Sequence, residues 1–156
     1  MYKRLFTILG NALPPKLNVI FYKLAGMKLN FKTCWIGNKC YIDSQFPELI
    51  EIEQNVCISS NVYLIAHFDP SMSIKNHLIK NYKKKIFIKE GVFIGPGSII
   101  LPGVTLGKNS FIKAGSVVTK NIPDDCIVEG NPARIISKLT HKNSKLINFI
   151  NKKYLF

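Results

Sequence analysis

Aliphatic residues recur at every sixth position along much of this chain. Ile88, Ile94, Ile100, Leu106, Ile112 and Val118 keep the interval without a miss. Upstream, Ile36 and Ile42 stand six apart, and after a slip near Phe46-Pro47 the interval resumes at Ile52, Ile58 and Leu64. A second break spans roughly residues 68 to 85. Two positions before each next aliphatic the residue is often small or β-branched: Val56, Val62, Val92, Ser98, Val104, Ser110, Ser116. Gly, Asn, Asp, Glu and Lys crowd the positions between. An amphipathic helix repeats near 3.6 and a half-buried strand at 2, so six is neither. It suits a short strand plus a turn. Three such units close a triangular coil, and coils stack at the usual strand separation of ~4.8 Å. Each aliphatic then points inward onto its counterpart one coil away. One unit cannot bury its own face, so the stack is the core.

The flanks follow other rules. Leu5, Phe6, Leu9 and Leu13 sit at helical spacing, and Pro14-Pro15 ends that segment. Leu17, Ile20, Phe21 and Leu24 share a second helical face, with Gly26 as its C-cap. Residues 1–28 therefore read as a short helical pair whose apolar face closes the base of the prism. An uncovered end coil would expose rungs and free strand edges. Residues 139–156 read as a basic amphipathic terminal helix carrying Leu146, Ile147, Phe149, Ile150 and Tyr154. No Gly-, Pro- or Ser-rich linker divides the chain. The expectation is one all-β domain: a cap at 1–28, a repeat coil at 29–138 with a loop at 68–85, and a tail helix at 139–156.

Composition narrows the class. The chain has 156 residues, 47% of them hydrophobic, which is enough for a real core. No apolar run approaches the ~18 residues of a membrane span. Lys3-Arg4 before a short apolar stretch faintly resembles a leader, but the helical spacing and Pro14-Pro15 favour a helix. The four cysteines, Cys34, Cys40, Cys57 and Cys126, form no CxxC pair. They read as free thiols in a reducing, cytoplasmic setting. The net charge of +13, from 22 basic and 9 acidic residues, attracts polyanions: nucleic acid, anionic lipid or phosphorylated small molecules. No aromatic interleaving or known module supports nucleic acid. The apolar face of the first helices, beside Lys3, Arg4, Lys16 and Lys23, suits either a bilayer surface or the prism base. The base is the plainer expectation.

The run "GVFIGPGSIILPGVTLGKNSFIKAGSVVTKNIPDDCIVEGNPARII" resembles the hexapeptide-repeat acyltransferases. It is most similar to sugar O-acetyltransferases of the maltose and galactoside type and their relatives in surface-polysaccharide biosynthesis. The resemblance covers residues 29 to about 138, and the block "AGSVVTK...IP......GNPAR" is more specific than the repeat itself. It implies a left-handed parallel β-helix, a homotrimer with active sites between subunits, acetyl-CoA as donor and a sugar or glycan hydroxyl as acceptor. It also implies roles for particular residues. His67, in "YLIAHFDPSM" where the rhythm breaks, is the expected general base: a sugar hydroxyl is a poor nucleophile, and an imidazole can take its proton. Asp69, Asp43, Glu53 or a backbone carbonyl could orient it. Asn61 and Asp69 are expected on the acceptor side, although Asn at a turn is also ordinary turn chemistry. The backbone around Gly97, Ser98 and Ala114 is expected to line a groove for the pantetheine arm. Thr119, Lys120 and Arg134 are expected near the phosphates of coenzyme A, where cations suit. Pro96 stands where the galactoside enzyme has Ser, so one hydroxyl contact is lost.

A three-histidine zinc site does not fit the spacing of His67, His77 and His141, so no metal is expected. No cysteine has an obvious base beside it, so no covalent acyl-enzyme is expected. Within the same fold the substrate could instead be a nucleotide-linked amino sugar or a streptogramin-type antibiotic. Outside enzymes, the coil could be a scaffold.

Overall fold

The six-residue period builds a three-sided prism. In the computed structural model, which describes residues 2–30, 32–77 and 82–139, strands two to four residues long lie on three faces and pair in parallel. The first face carries Lys28–Leu29, Ile50–Ile52, Ile86–Ile88 and Thr105–Leu106; the second carries Trp35–Ile36, Cys57–Ile58, Phe93–Ile94, Phe111–Ile112 and Cys126–Glu129. The third carries Tyr41–Ile42, Tyr63–Leu64, Ile99–Ile100 and Val117–Val118.

Register explains the sequence interval. Ile88 aligns with Leu106, Ile94 with Ile112 and Ile100 with Val118, so one coil is eighteen residues. The slip near Phe46-Pro47 is a short 3-10 turn at Pro47–Leu49 that lengthens one coil, so Ile42 aligns with Leu64. Across the second break, Ile58 aligns with Ile94 and Leu64 with Ile100, twice the coil length. The break therefore extrudes one coil's worth of chain without shifting the rungs. Ile36, Ile42, Ile58, Leu64, Ile88, Ile94, Ile100, Leu106, Ile112 and Val118 are all fully buried. Each such side chain stabilises by roughly 1.5–3 kcal/mol relative to exposure.

The corners need special backbone. Gly91, Gly97, Gly103, Asn109 and Gly115 fall six apart, all with positive φ. Gly95 is required for another reason. A Cβ there would lie 2.5 Å from the backbone nitrogen of Ala114, one coil away. Ser98, Ser110 and Ser116 are buried beneath the corners, and the hydroxyls of Ser98 and Ser116 donate to the Lys113 carbonyl at 3.1 and 2.7 Å.

Three expectations are corrected. First, the cap consists of α1 (Tyr2–Ala12) and α2 (Leu17–Leu24), but it packs the other way round. Leu5, Leu9, Leu17, Ile20 and Leu24 are exposed, and Thr7, Gly10, Asn18, Val19 and Tyr22 face inward. The two helices sit close because Gly10 makes room for the fully buried Tyr22: a Cβ on Gly10 would lie 2.6 Å from the Tyr22 ring. Second, the parallel coil ends at Glu129, and Arg134–Lys138 folds back antiparallel on Cys126–Glu129. Third, the loop is not bare. It opens as an antiparallel pair of His67–Phe68 with Tyr82–Lys83 and contains α3 (Met72–His77). Gly26 follows α2 with φ 105°, the expected capping conformation. The tail helix expected at 139–156, and His141 in it, lie outside the described residues apart from Leu139.

Candidate active site

The base of the extruded loop sits on the corner between the third and first faces. Asp43 directly follows the rung Ile42, and its N–H donates to the Leu64 carbonyl at 3.1 Å. That places its carboxylate beneath residues 66 and 67 of the next coil. His67 Nδ1 lies 2.5 Å from Asp43 Oδ2, which also accepts the Ala66 N–H at 2.9 Å. Asp43 Oδ1 accepts the Gln45 and Phe46 N–H groups at 3.1 and 3.3 Å. The carboxylate is fully buried and fixed by four hydrogen bonds; the imidazole above it keeps 15% of its surface exposed. A carboxylate can only accept, so Nδ1 carries the proton and Nε2 is left with a free lone pair. The Phe46 ring stands nearly perpendicular to the imidazole, 5.1 Å away between centroids, and packs against it.

A cleft of about 100 Å³ opens at this point, lined by Gln45, Phe46, His67, Phe68, Asp69, Tyr82 and Lys83. The Phe68 and Tyr82 rings stack at 6.2 Å and form one wall. The basic run expected in the loop is largely engaged: Lys83, Lys84 and Lys85 lie over the Phe46, Tyr82 and Phe87 rings at 4.9, 5.0 and 5.1 Å. Lys85 also pairs with Glu51.

The other expected residues divide between two corners. Asp69 is on the cleft, but its carboxylate is paired with Lys75 at 2.6 Å, and that hydrogen bond holds its carboxyl below the usual range. Thr119 and Lys120 follow Val118 at the same corner as His67, two coils up. Asn61, Gly97, Ser98 and Ala114 lie at the neighbouring corner, between the second and third faces. There Asn61 has φ 59° and supplies a turn. Gly97 and Ala114 are exposed, and nothing lies within 4 Å of where a Cβ on Gly97 would stand. The Ser98 hydroxyl is buried and donates to the Lys113 carbonyl, and the Ser98 carbonyl accepts the Tyr63 N–H at 2.9 Å. Arg134 is exposed at the start of the returning strand. Among the described residues, neither Lys120 nor Arg134 forms an ion pair.

Sequence spacing left the partner of His67 open among several groups. Asp43 is 24 residues away, and only the coil register puts them together. Glu53 is committed elsewhere, accepting the Glu90 N–H at 2.8 Å.

The chain is similar in sequence and fold to known proteins. The family model "Bacterial transferase hexapeptide (six repeats)" matches residues 85–120. Protein CapG of Staphylococcus aureus is 45% identical over 122 residues, covering 72% of this chain and 70% of that protein. The galactoside O-acetyltransferase of Lactococcus lactis is 48% identical over 64 residues, covering 41% of this chain and 31% of that enzyme. A galactoside acetyltransferase solved in complex with coenzyme A superposes with a TM-score of 0.63 at 25% identity, covering 99% of this chain and 85% of that one. The chain belongs to the hexapeptide-repeat transferase family. It spans about half the length of the first curated relatives it matches, between 31% and 61%.

Proposed function

We propose that the protein transfers an acetyl group from acetyl-CoA to a hydroxyl of a sugar, of the galactoside or maltose kind, with His67 as general base. The observation that carries this reading is the His67–Asp43 pair at the mouth of an aromatic-walled cleft. Nε2 takes the proton of the attacking hydroxyl as its oxygen bonds to the thioester carbonyl carbon. The buried Asp43 carboxylate, held by three backbone N–H groups, then faces the imidazolium that forms and stabilises it. When the C–S bond breaks, the same Nε2 returns the proton to the leaving sulfur. Asp43 is a positioning residue: it acts through His67 and fixes its tautomer.

Acetyl-CoA is the donor supported by relatives that bind coenzyme A. The open surface at Gly97 and Ala114 suits a thin pantetheine arm, and Thr119, Lys120 and Arg134 supply a hydroxyl and two cations for phosphates. These groups stand at two corners of one copy. The left-handed coil and homotrimer implied by the family would place one copy's His67 corner against another copy's Gly97 corner. Exposed Trp35, Tyr41 and Tyr63 on the outer faces support such packing. A role in surface-polysaccharide biosynthesis extends this reading to a glycan acceptor.

Thiol release from acetyl-CoA, followed with a panel of mono- and oligosaccharides, tests the proposal. The expected result is release that requires both a sugar and His67. Release unchanged in His67→Ala, or no binding of coenzyme A, would overturn it.

A further inference from the structure

The N-terminal hairpin is amphipathic with its apolar side outward. Thr7 and Gly10 of α1 and Asn18, Val19 and Tyr22 of α2 face the body of the protein. Polar contacts anchor it: the Asn18 amide donates to the Ile36 carbonyl at 3.0 Å, and Asn11 Oδ1, which accepts the Tyr22 hydroxyl at 3.0 Å, also accepts the Ile42 N–H at 3.4 Å. On the outer side stand Leu5, Ile8 and Leu9 of α1 with Leu17, Ile20 and Leu24 of α2, at 39% to 55% exposure. Six large aliphatic side chains exposed on two helices packed side by side are more than single scattered residues.

Charge says what covers the patch. The first 42 residues hold seven basic residues and no acidic one. Arg4 and Lys16 are exposed on the hairpin, and the Lys3 ammonium contacts Glu48 at 3.5 Å. A second copy of so basic a segment would be repelled. An anionic lipid headgroup layer would be attracted, and the aliphatic side chains would enter the region beneath it. Helices of 11 and 8 residues are too short to span a bilayer, which needs about 20, so they lie flat. Tyr2 at the start of α1 is the one exposed ring beside these aliphatic side chains, and a single ring offers no succession of stacking platforms for nucleobases.

We propose that α1 and α2 form a peripheral docking surface for an anionic lipid bilayer. This does not rest on the acetyl-transfer reading. The test is co-sedimentation of the intact chain with phosphatidylcholine vesicles, with and without phosphatidylglycerol, at low and high salt. Binding should require phosphatidylglycerol and weaken with salt. The variant Leu5→Glu/Ile20→Glu should reduce partitioning at least tenfold while leaving the far-UV circular dichroism spectrum and the particle mass in solution unchanged. In the unaltered chain, hydrogen exchange should show vesicle-induced protection within residues 2 to 24. Absence of binding to phosphatidylglycerol vesicles, protection elsewhere, or full binding by the variant would overturn the proposal. So would a lighter particle for the variant, which would make the patch a contact between copies.

Discussion

Asp43→Asn is the sharpest test of the proposed chemistry, because the carboxylate makes four hydrogen bonds and all four come from donors. An amide has one acceptor oxygen and one donor nitrogen. If its oxygen faces Ala66 and His67, its NH2 is pressed against the Gln45 and Phe46 N–H groups, 3.1 and 3.3 Å from the present Oδ1. If it turns over, its NH2 meets the Ala66 N–H and donates to Nδ1, which moves the imidazole proton to Nε2 and removes the base. Losing a charge-assisted hydrogen bond costs about 1.5–3 kcal/mol, and each stranded buried donor about 1–3 kcal/mol. The first figure alone corresponds to a fall of about 10- to 150-fold in kcat. The flipped tautomer would deepen it towards the ~10⁴-fold seen when the aspartate of a serine-protease triad is replaced by Asn. The assay is steady-state thiol release, with coenzyme A binding measured by calorimetry to show that the fold survives. KM for acetyl-CoA should move little. Because Asp43 acts through His67, the double variant with His67→Ala should be no slower than His67→Ala alone. Wild-type-like kcat in Asp43→Asn, or losses that multiply in the double variant, would refute the reasoning.

Further outcomes follow from the same geometry. Gly95→Ala should lower the thermal midpoint more than Gly97→Ala, because its Cβ meets backbone at 2.5 Å whereas Gly97 has open space and only its φ of 71° to overcome; roughly 1–3 kcal/mol against 1–2 kcal/mol is expected from denaturant titrations. Ile100→Ala removes a fully buried rung and should cost about 2–5 kcal/mol in the same titrations. Lys120→Ala should raise the dissociation constant for coenzyme A a few-fold, a surface charge-to-phosphate contact of about 0.5–1 kcal/mol, and leave kcat nearly unchanged. Burial raises the Cys34, Cys40 and Cys57 thiols above their ordinary value of 9.0. Native protein should therefore alkylate slowly with iodoacetamide near neutral pH, and the stability from these neutral thiols should be complete below pH 9 and lost as pH climbs through the raised values.

The sequence by itself determined the coil. A rung every sixth residue has one packing solution, since Ile94 can be buried only by stacking on Ile58 and Ile112, and the positive-φ corners recur at the same interval. It also placed His67 where the rhythm breaks, because an extruded loop must leave the stack at a corner. Tertiary structure alone decided three things. It chose Asp43 as the partner of His67, because the four extra residues in the lower coil fix which side chains lie beneath residue 67. It buried the Ser98 hydroxyl, because only the three-dimensional corner shows which way a small side chain turns. And it turned the hairpin inside out. Periodicity finds that Leu17, Ile20 and Leu24 share a face, but not which way the face points; that depends on how closely a helix approaches its neighbour, and Gly10 against the Tyr22 ring sets that distance.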